Sequence, residues 1–186
     1  MTPAERLGLI AAAVPAPERP ARWADLGAGD GAFTLALVER LGTGSHVLAV
    51  DRDGRALARL RRARRRPARG ASVDTLTADL TGDLRLDGLD GVLMANALHY
   101  VPRRRQARLL ARLAAALAPG GRIVLVEYDL ERGNPWVPHP LPAGEFPALA
   151  LEAGLERAAI VADAPSRYWG RAYCAVAFRG AAGGGS

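Results

Sequence analysis

Apolar and polar positions along this chain repeat in two rhythms, one near 3.6 residues and one of short, nearly continuous apolar runs. Residues 3–14 follow the helical rhythm. "RWADL" (22–26) then reads as a buried strand, and "GAFTLALVERL" (31–41) as a helix with Phe33, Leu37 and Leu41 on one face. The alternation continues with "HVLAVD" (46–51) as strand and "GRALARLRRAR" (54–64) as helix. "SVDTLTAD" (72–79) is strand-like, and "DGVLMAN" (90–96) is a further buried strand. The clearest helix is "PRRRQARLLARLAAALAPGG" (102–121), with proline in its first turn and Pro-Gly-Gly at its exit. "RIVLVEYD" (122–129) is predicted as strand, the proline-rich stretch 130–144 as irregular, and "EFPALALEAGL" (145–155) as helix. Two last strands, "ERAAIVAD" (156–163) and "RAYCAVAFR" (171–179), close the series.

Strands that alternate with helices imply a parallel sheet covered on both faces. The last two strands are too close for a parallel crossover, which needs a dozen residues or more, so they must run antiparallel. The expectation is an α/β, Rossmann-like sheet of seven strands, parallel except for an antiparallel final strand inserted near the end. Only "LTGDLRLDGLDG" (80–91) separates the third and fourth strands, so the helix there is short or absent. A chain of 186 residues suits one compact domain. Its expected organisation is an N-terminal helix and linker over 1–21, the domain over 22–179, and a flexible tail over 180–186.

Composition changes this picture little. A hydrophobic fraction of 49% excludes a disordered chain. No apolar run reaches the roughly 18 residues of a membrane span. "LGLIAAAV" behind Arg6 could pass for a leader, but the glycine turn follows too soon, and an amphipathic first helix is preferred. One cysteine, Cys174, in the alternation "AYCAVAF", excludes a disulfide framework and reads as a buried structural thiol. These features suit the cytoplasm. The net charge is +6, carried by 25 arginines and no lysine, a bias that codon usage produces without any partner. "RRARRR" (61–66) could attract nucleic acid, yet Leu57 and Leu60 precede it at helical spacing and make it a solvated helix end.

The informative stretch is "WADLGAGDGAF" (23–33), three glycines between a strand and a helix. Such a turn lets a ligand approach the backbone, and N–H groups at the helix start favour an anionic group. "GAGDGA" satisfies the dinucleotide fingerprint in form. Asp25 stands two residues before Gly27, where it would oppose a pyrophosphate but attract an ammonium group. The chain is also short for two mononucleotide halves plus a substrate domain, and the antiparallel strand is foreign to the dinucleotide sheet.

Five segments recur in order: "DLGAGDG" at the first turn, Asp51 ending the second strand, "ADL" (78–80) after the third, "MANALHYV" (94–101) after the fourth, and "LAPGGRIVLVEY" (117–128) into the fifth. Together, over residues 22–179, they resemble the class I S-adenosylmethionine-dependent methyltransferases. "ALHYV" and the trim length are similar to the methyltransferase type 11, ubiquinone/menaquinone-type small-molecule branch. The resemblance implies S-adenosylmethionine as cofactor, with S-adenosylhomocysteine as product. Gly27, Ala28, Gly29 and Gly31 then leave room for the methionine part, and Asp25 balances its positive side. Asp51, with Arg52 beside it, receives the ribose hydroxyls. Asp79 meets the adenine amino group, the Leu80 backbone meets the ring, and Asn96 borders the sulfonium. Loop capping is the alternative role of Asp51 and Asp79.

The acceptor is expected over the carboxyl ends of the strands, beside "NALHYVP", "YDLERGNPWVPHPLP" and "DAPSRYWG". His99, His139 and Tyr100 are the candidates for catalytic groups there, while His46 opens a strand and reads as structural. Tyr100, Trp136, Tyr168 and Trp169 can form an aromatic wall or simply pack beneath loops. No metal is expected, because His, Cys, Asp and Glu form no ligand cluster. The reading is a methyltransferase that modifies an O or N atom of a small molecule, as monomer or homodimer, without nucleic acid. The alternatives are an RNA or protein methyltransferase using the arginine-rich surface, and a non-catalytic domain that binds the donor. The Asn-Pro-Pro-aromatic motif of adenine N6 enzymes and the cysteine nucleophile of cytosine C5 enzymes are both missing after the fourth strand.

Overall fold

The computed structural model describes residues 1–63, 70–166 and 168–181. Helix α1 (Pro3–Ile10) begins at a capping box, in which Thr2 and Glu5 satisfy each other's backbone N–H. Strand β1 (Arg22–Leu26), α2 (Ala32–Leu41), β2 (His46–Asp51), α3 (Gly54–Ala63) and β3 (Ser72–Thr77) follow. Strand β4 (Leu89–Ala95) leads into a 3-10 turn (Leu98–Tyr100), α4 (Arg103–Ala116) and β5 (Leu117–Tyr128). A second 3-10 turn (Ala143–Glu145), α5 (Phe146–Glu152), β6 (Glu156–Pro165) and β7 (Arg171–Phe178) complete the chain.

The sheet has seven strands in the order β3-β2-β1-β4-β5-β7-β6, and only β7 runs against its neighbours. This is the expected Rossmann-like α/β architecture. Period-2 alternation divides the core into two layers. Trp23, Val47, Leu93, Val124 and Cys174 face α1 and α2, whereas Ala24, Met94, Leu125 and Tyr173 face α4 and α5. Trp23 lies flat across β4 because Gly91, its register partner, has no Cβ; one built there would stand 2.4 Å from the indole. Cys174 is fully buried, and burial pushes its thiol up to about 12.

Several element boundaries differ from the pattern in the sequence; α5, for one, covers Phe146–Glu152 rather than 145–155. The first helix stops at Ile10 rather than running to 14. Pro15 disfavours helix at Val14, and the carbonyls of Ala11, Ala13 and Val14 bond the guanidinium groups of Arg40 and Arg122 instead. Helix α4 ends at Ala116, and the Pro-Gly-Gly stretch lies inside β5, where an irregularity in the pairing with β4 absorbs it. Strand β6 reaches Pro165. The arginine run 61–66 and the tail 180–186 fall partly outside the described residues.

No helix joins β3 to β4. The connecting loop is held from outside: the Arg112 guanidinium on α4 donates to the carbonyls of Leu80 (2.6 Å), Gly82 (2.7 Å) and Thr81 (3.2 Å). Among the described residues, no helix is long and apolar enough to cross a membrane, and no cluster of three or more His, Cys, Asp or Glu is placed to hold a metal ion.

Candidate functional site

Two cavities open over the carboxyl ends of the central strands. The first, about 400 Å³, runs from Asp25, Gly27, Ala28 and Gly29 past Asn96 to Tyr128, Pro165, Ser166 and Tyr168. The second, about 360 Å³, is lined by Asp51, Arg52, Asp79, Leu80, Ala97, Tyr100 and Arg105. Gly27 and Asn96 line both and mark where the cavities meet.

The glycine turn is shaped by its lack of side chains. Gly27 has φ +79°, and a Cβ there would come within 2.5 Å of the Ala97 Cβ. Gly31 has φ +91° and lines neither cavity; its bare Cα lets Leu60 of α3 pack against the turn, 2.3 Å from where a Cβ would stand. Gly31 also caps α2 without a side-chain acceptor, so the first-turn N–H groups of α2 have no cap of that kind.

Asp25 is 1% exposed. Its Oδ2 accepts from the Thr34 hydroxyl at 2.6 Å, while Oδ1 is buried without a partner. Burial pushes this carboxyl up to about 7, against the smaller opposing effect of the Thr34 hydrogen bond. Asn96 has φ +53°, a left-handed conformation rare outside glycine, fixed by its N–H donating to the Val126 carbonyl at 2.8 Å. Its Oδ1 is also buried and unpartnered. Two orphaned acceptors and a strained backbone at the junction mark a site shaped for a ligand with positive or donating groups.

In the second cavity, Asp51 accepts from the Gly29 N–H at 2.7 Å and the Asp53 N–H at 2.8 Å. Asp79 accepts from the Thr81 hydroxyl at 2.6 Å and its N–H at 2.7 Å, which together hold the carboxyl below its usual range. Both acids therefore cap loops, the alternative role weighed for them, and both also line the cavity. The two uses are compatible, since a carboxylate has about four acceptor sites.

Of the three candidates for catalytic groups, the two histidines lie outside both cavities and Tyr100 borders the second. His99 is 2% exposed and lines neither cavity; its Nδ1 sits 2.6 Å from Glu127 Oε2, and its N–H donates to Oε1 at 3.3 Å. His139 is half-buried and also lines neither cavity; its backbone N–H bonds the His99 carbonyl at 3.0 Å. Tyr100 borders the second cavity, 54% exposed, with its ring 4.4 Å from that of His99. His46, on β2, pairs with Asp74 at 3.0 Å. The aromatic residues do assemble: Trp169 stands edge-on to Tyr128 at 5.1 Å, and Tyr168 and Trp136 lie 5.8 Å and 6.0 Å from it. Glu127 and Tyr128 were not among the sequence candidates. The signal available for Glu127 was a lone acid inside the apolar run "RIVLVEY".

A sequence profile described as a methyltransferase domain matches residues 24–123. The chain belongs to this methyltransferase family. An uncharacterized methyltransferase of Mycobacterium tuberculosis is 37% identical over 121 residues, which cover 65% of this chain and 45% of that protein. The ribosomal RNA small subunit methyltransferase C of Chromohalobacter salexigens is 34% identical over 137 residues, 68% of this chain and 36% of that one. The chain thus spans less than half the length of these curated relatives. Among solved structures, a SAM-dependent methyltransferase from Methanosarcina mazei superposes with a TM-score of 0.70 at 16% identity, covering 89% of this chain and 95% of that one. S-adenosylmethionine is the cofactor of this family, and the cavities fit it. The unpartnered Oδ1 of Asp25 suits an ammonium group, the bare Gly27 lets a ligand approach the backbone, and Asp51 and Asp79 border a space suited to a nucleoside.

Proposed function

We propose that this methyltransferase domain transfers the methyl group of S-adenosylmethionine to an O or N atom of a small, largely apolar acceptor. One observation carries the reading. The first cavity does not end at Asn96 but continues to Tyr128, Pro165, Ser166 and Tyr168, beside the Trp169 cluster. That leaves a partly enclosed, aromatic-sided space next to where the donor's reactive centre would lie.

When bound, S-adenosylmethionine supplies a methyl group on a sulfonium, whose charge vanishes as an acceptor attacks in line. The chain's own contribution is mostly positioning, which can be worth roughly 7–11 kcal/mol in favourable cases. Asp25 orients the amino-acid head through its free oxygen. Asp51 holds the ribose, and Asp79 with the Leu80 backbone reads the adenine. Asn96 offers its unpartnered Oδ1 to an N–H or O–H of the acceptor. Burial, and then the neighbouring Glu127 charge, raise the Tyr128 phenol above its ordinary value. It stays protonated and donates a hydrogen bond rather than acting as a base.

His99 serves as a positioning residue. Its bonds to Glu127 fix the segment from Asn96 to Tyr100 against β5. His139 acts through its backbone, pinning the proline loop to the same turn. Incubating the protein with labelled donor and a small-molecule extract tests the reading. Label in small molecules supports it, and label only in macromolecules rejects it.

A second reading has support in the ribosomal RNA methyltransferase relative and in Arg104, Arg105 and Arg108, exposed along α4. Salt-sensitive binding of single-stranded RNA by the purified protein would favour it.

A further inference from the structure

Helix α1 lies outside the sheet, yet it walls the first cavity. Arg6 and Met1 share its lining with Asp25, Gly27, Gly29 and Phe33. The cavity's two charged side chains are Arg6 and Asp25, one of each sign, while the N-terminal ammonium of Met1, also at this wall, stands 4.0 Å from the Glu5 carboxylate. Arg6 is half-buried, and among the described residues no carboxylate pairs with it. Its neighbour Glu5 is turned away into the capping box, accepting from the Thr2 N–H at 2.6 Å. A half-buried cation without a protein carboxylate, on the wall of a concave space, is placed to receive a ligand's anion. An amino-acid head group carries an ammonium and a carboxylate on one carbon, and it matches this pair of charges.

We propose that Arg6 receives the carboxylate of the donor's amino-acid head while Asp25 receives its ammonium, so that α1 closes the methionine end of the site. The proposal rests on S-adenosylmethionine being the ligand. The planar guanidinium can grip both carboxylate oxygens, and the uncapped N–H groups of α2 add a second positive field on the same side. The first helix is therefore part of the binding machinery.

Calorimetry with two ligands tests this. S-adenosylhomocysteine carries the head group; 5′-methylthioadenosine keeps the nucleoside and sulfur but lacks both charges. Arg6→Met preserves the apolar stem that packs on the cavity wall. It should weaken S-adenosylhomocysteine by about 10–100-fold, the range for a charge-assisted hydrogen bond, and leave 5′-methylthioadenosine within about twofold. Arg6→Lys should fall between wild type and Arg6→Met for the first ligand. The proposal is overturned if Arg6→Met leaves S-adenosylhomocysteine affinity unchanged, the result expected were Arg6 reserved for an acidic acceptor. Equal weakening of both ligands also overturns it, because α1 would then only be packing. If the wild-type protein binds neither ligand, the donor assignment itself fails and this proposal goes with it.

Discussion

The proposed donor half and the proposed acceptor half of this site are built from different materials. Arg6 apart, the proposed donor half uses backbone and short side chains: a bare Cα at Gly27, N–H groups bonded to Asp51, and a loop strapped by Arg112. The proposed acceptor half uses large rings on segments distant in sequence: Tyr128 at the end of β5, Trp136 in the proline loop, and Tyr168 and Trp169 between β6 and β7. A ligand shared by a whole family can be held by geometry that tolerates no side chain. A ligand particular to one member is met by side chains that can be exchanged without disturbing the sheet.

The sharpest way to break this contrast is Gly27→Ala. The new methyl meets Ala97 at 2.5 Å in a left-handed backbone, so S-adenosylhomocysteine binding should fall by about 100-fold or more in calorimetry. Asp51→Ala comes next. Loss of the ribose acceptor, together with the Gly29 tether, should weaken the same ligand by about 10–100-fold.

Asp25 adds a pH dependence. Its carboxyl, near 7 in the unliganded protein, must be ionised to hold an ammonium. Affinity should therefore drop by up to about tenfold per pH unit below 7, and Asp25→Asn should flatten that profile. The sign for stability is the reverse. A folded-state value raised from 3.8 stabilises the unliganded protein at low pH, and this contribution is lost as pH climbs through about 7. Denaturation series should show it as at most about 4 kcal/mol between pH 4 and 7, absent in Asp25→Asn. Smallest of all is Trp136→Ala. At 65% exposed, this ring should leave folding within about 0.5 kcal/mol and donor binding unaltered. Acceptor KM should rise a few-fold, and a larger change in donor binding would erase the division between the two halves.

The same division explains what could be seen in the sequence. Strand β2 occupies the residues its apolar rhythm predicts, and the glycine turn is a local motif whose φ values follow from its composition. The order of helices and strands, with the last two strands too close for a crossover, fixed the antiparallel position of β7. What escaped was decided at long range. His99 stands one turn beyond Asn96, which makes it a candidate to face the acceptor. Glu127, 28 positions away, draws it inward, because a buried acid needs a partner. Arg6 looked like part of an ordinary amphipathic helix until α1 was placed beside the turn. Tyr128 comes beside Asn96 through the pairing of β4 with β5, and Ser166 reaches the same cavity from the turn between β6 and β7; both meetings are between segments far apart in sequence. The first helix ended early for a similar reason, since two distant arginines took its carbonyls.

Cys174 gives the chain a use at the bench. It is the single thiol in the sequence, sits mid-strand in β7, and is too buried and too weakly acidic to react while the sheet is closed. An alkylating reagent can modify it only when that strand opens. The rate at which one label appears, followed by mass spectrometry with and without cofactor, clocks how often the β5-β7-β6 end of the sheet comes apart and how far a bound ligand slows it.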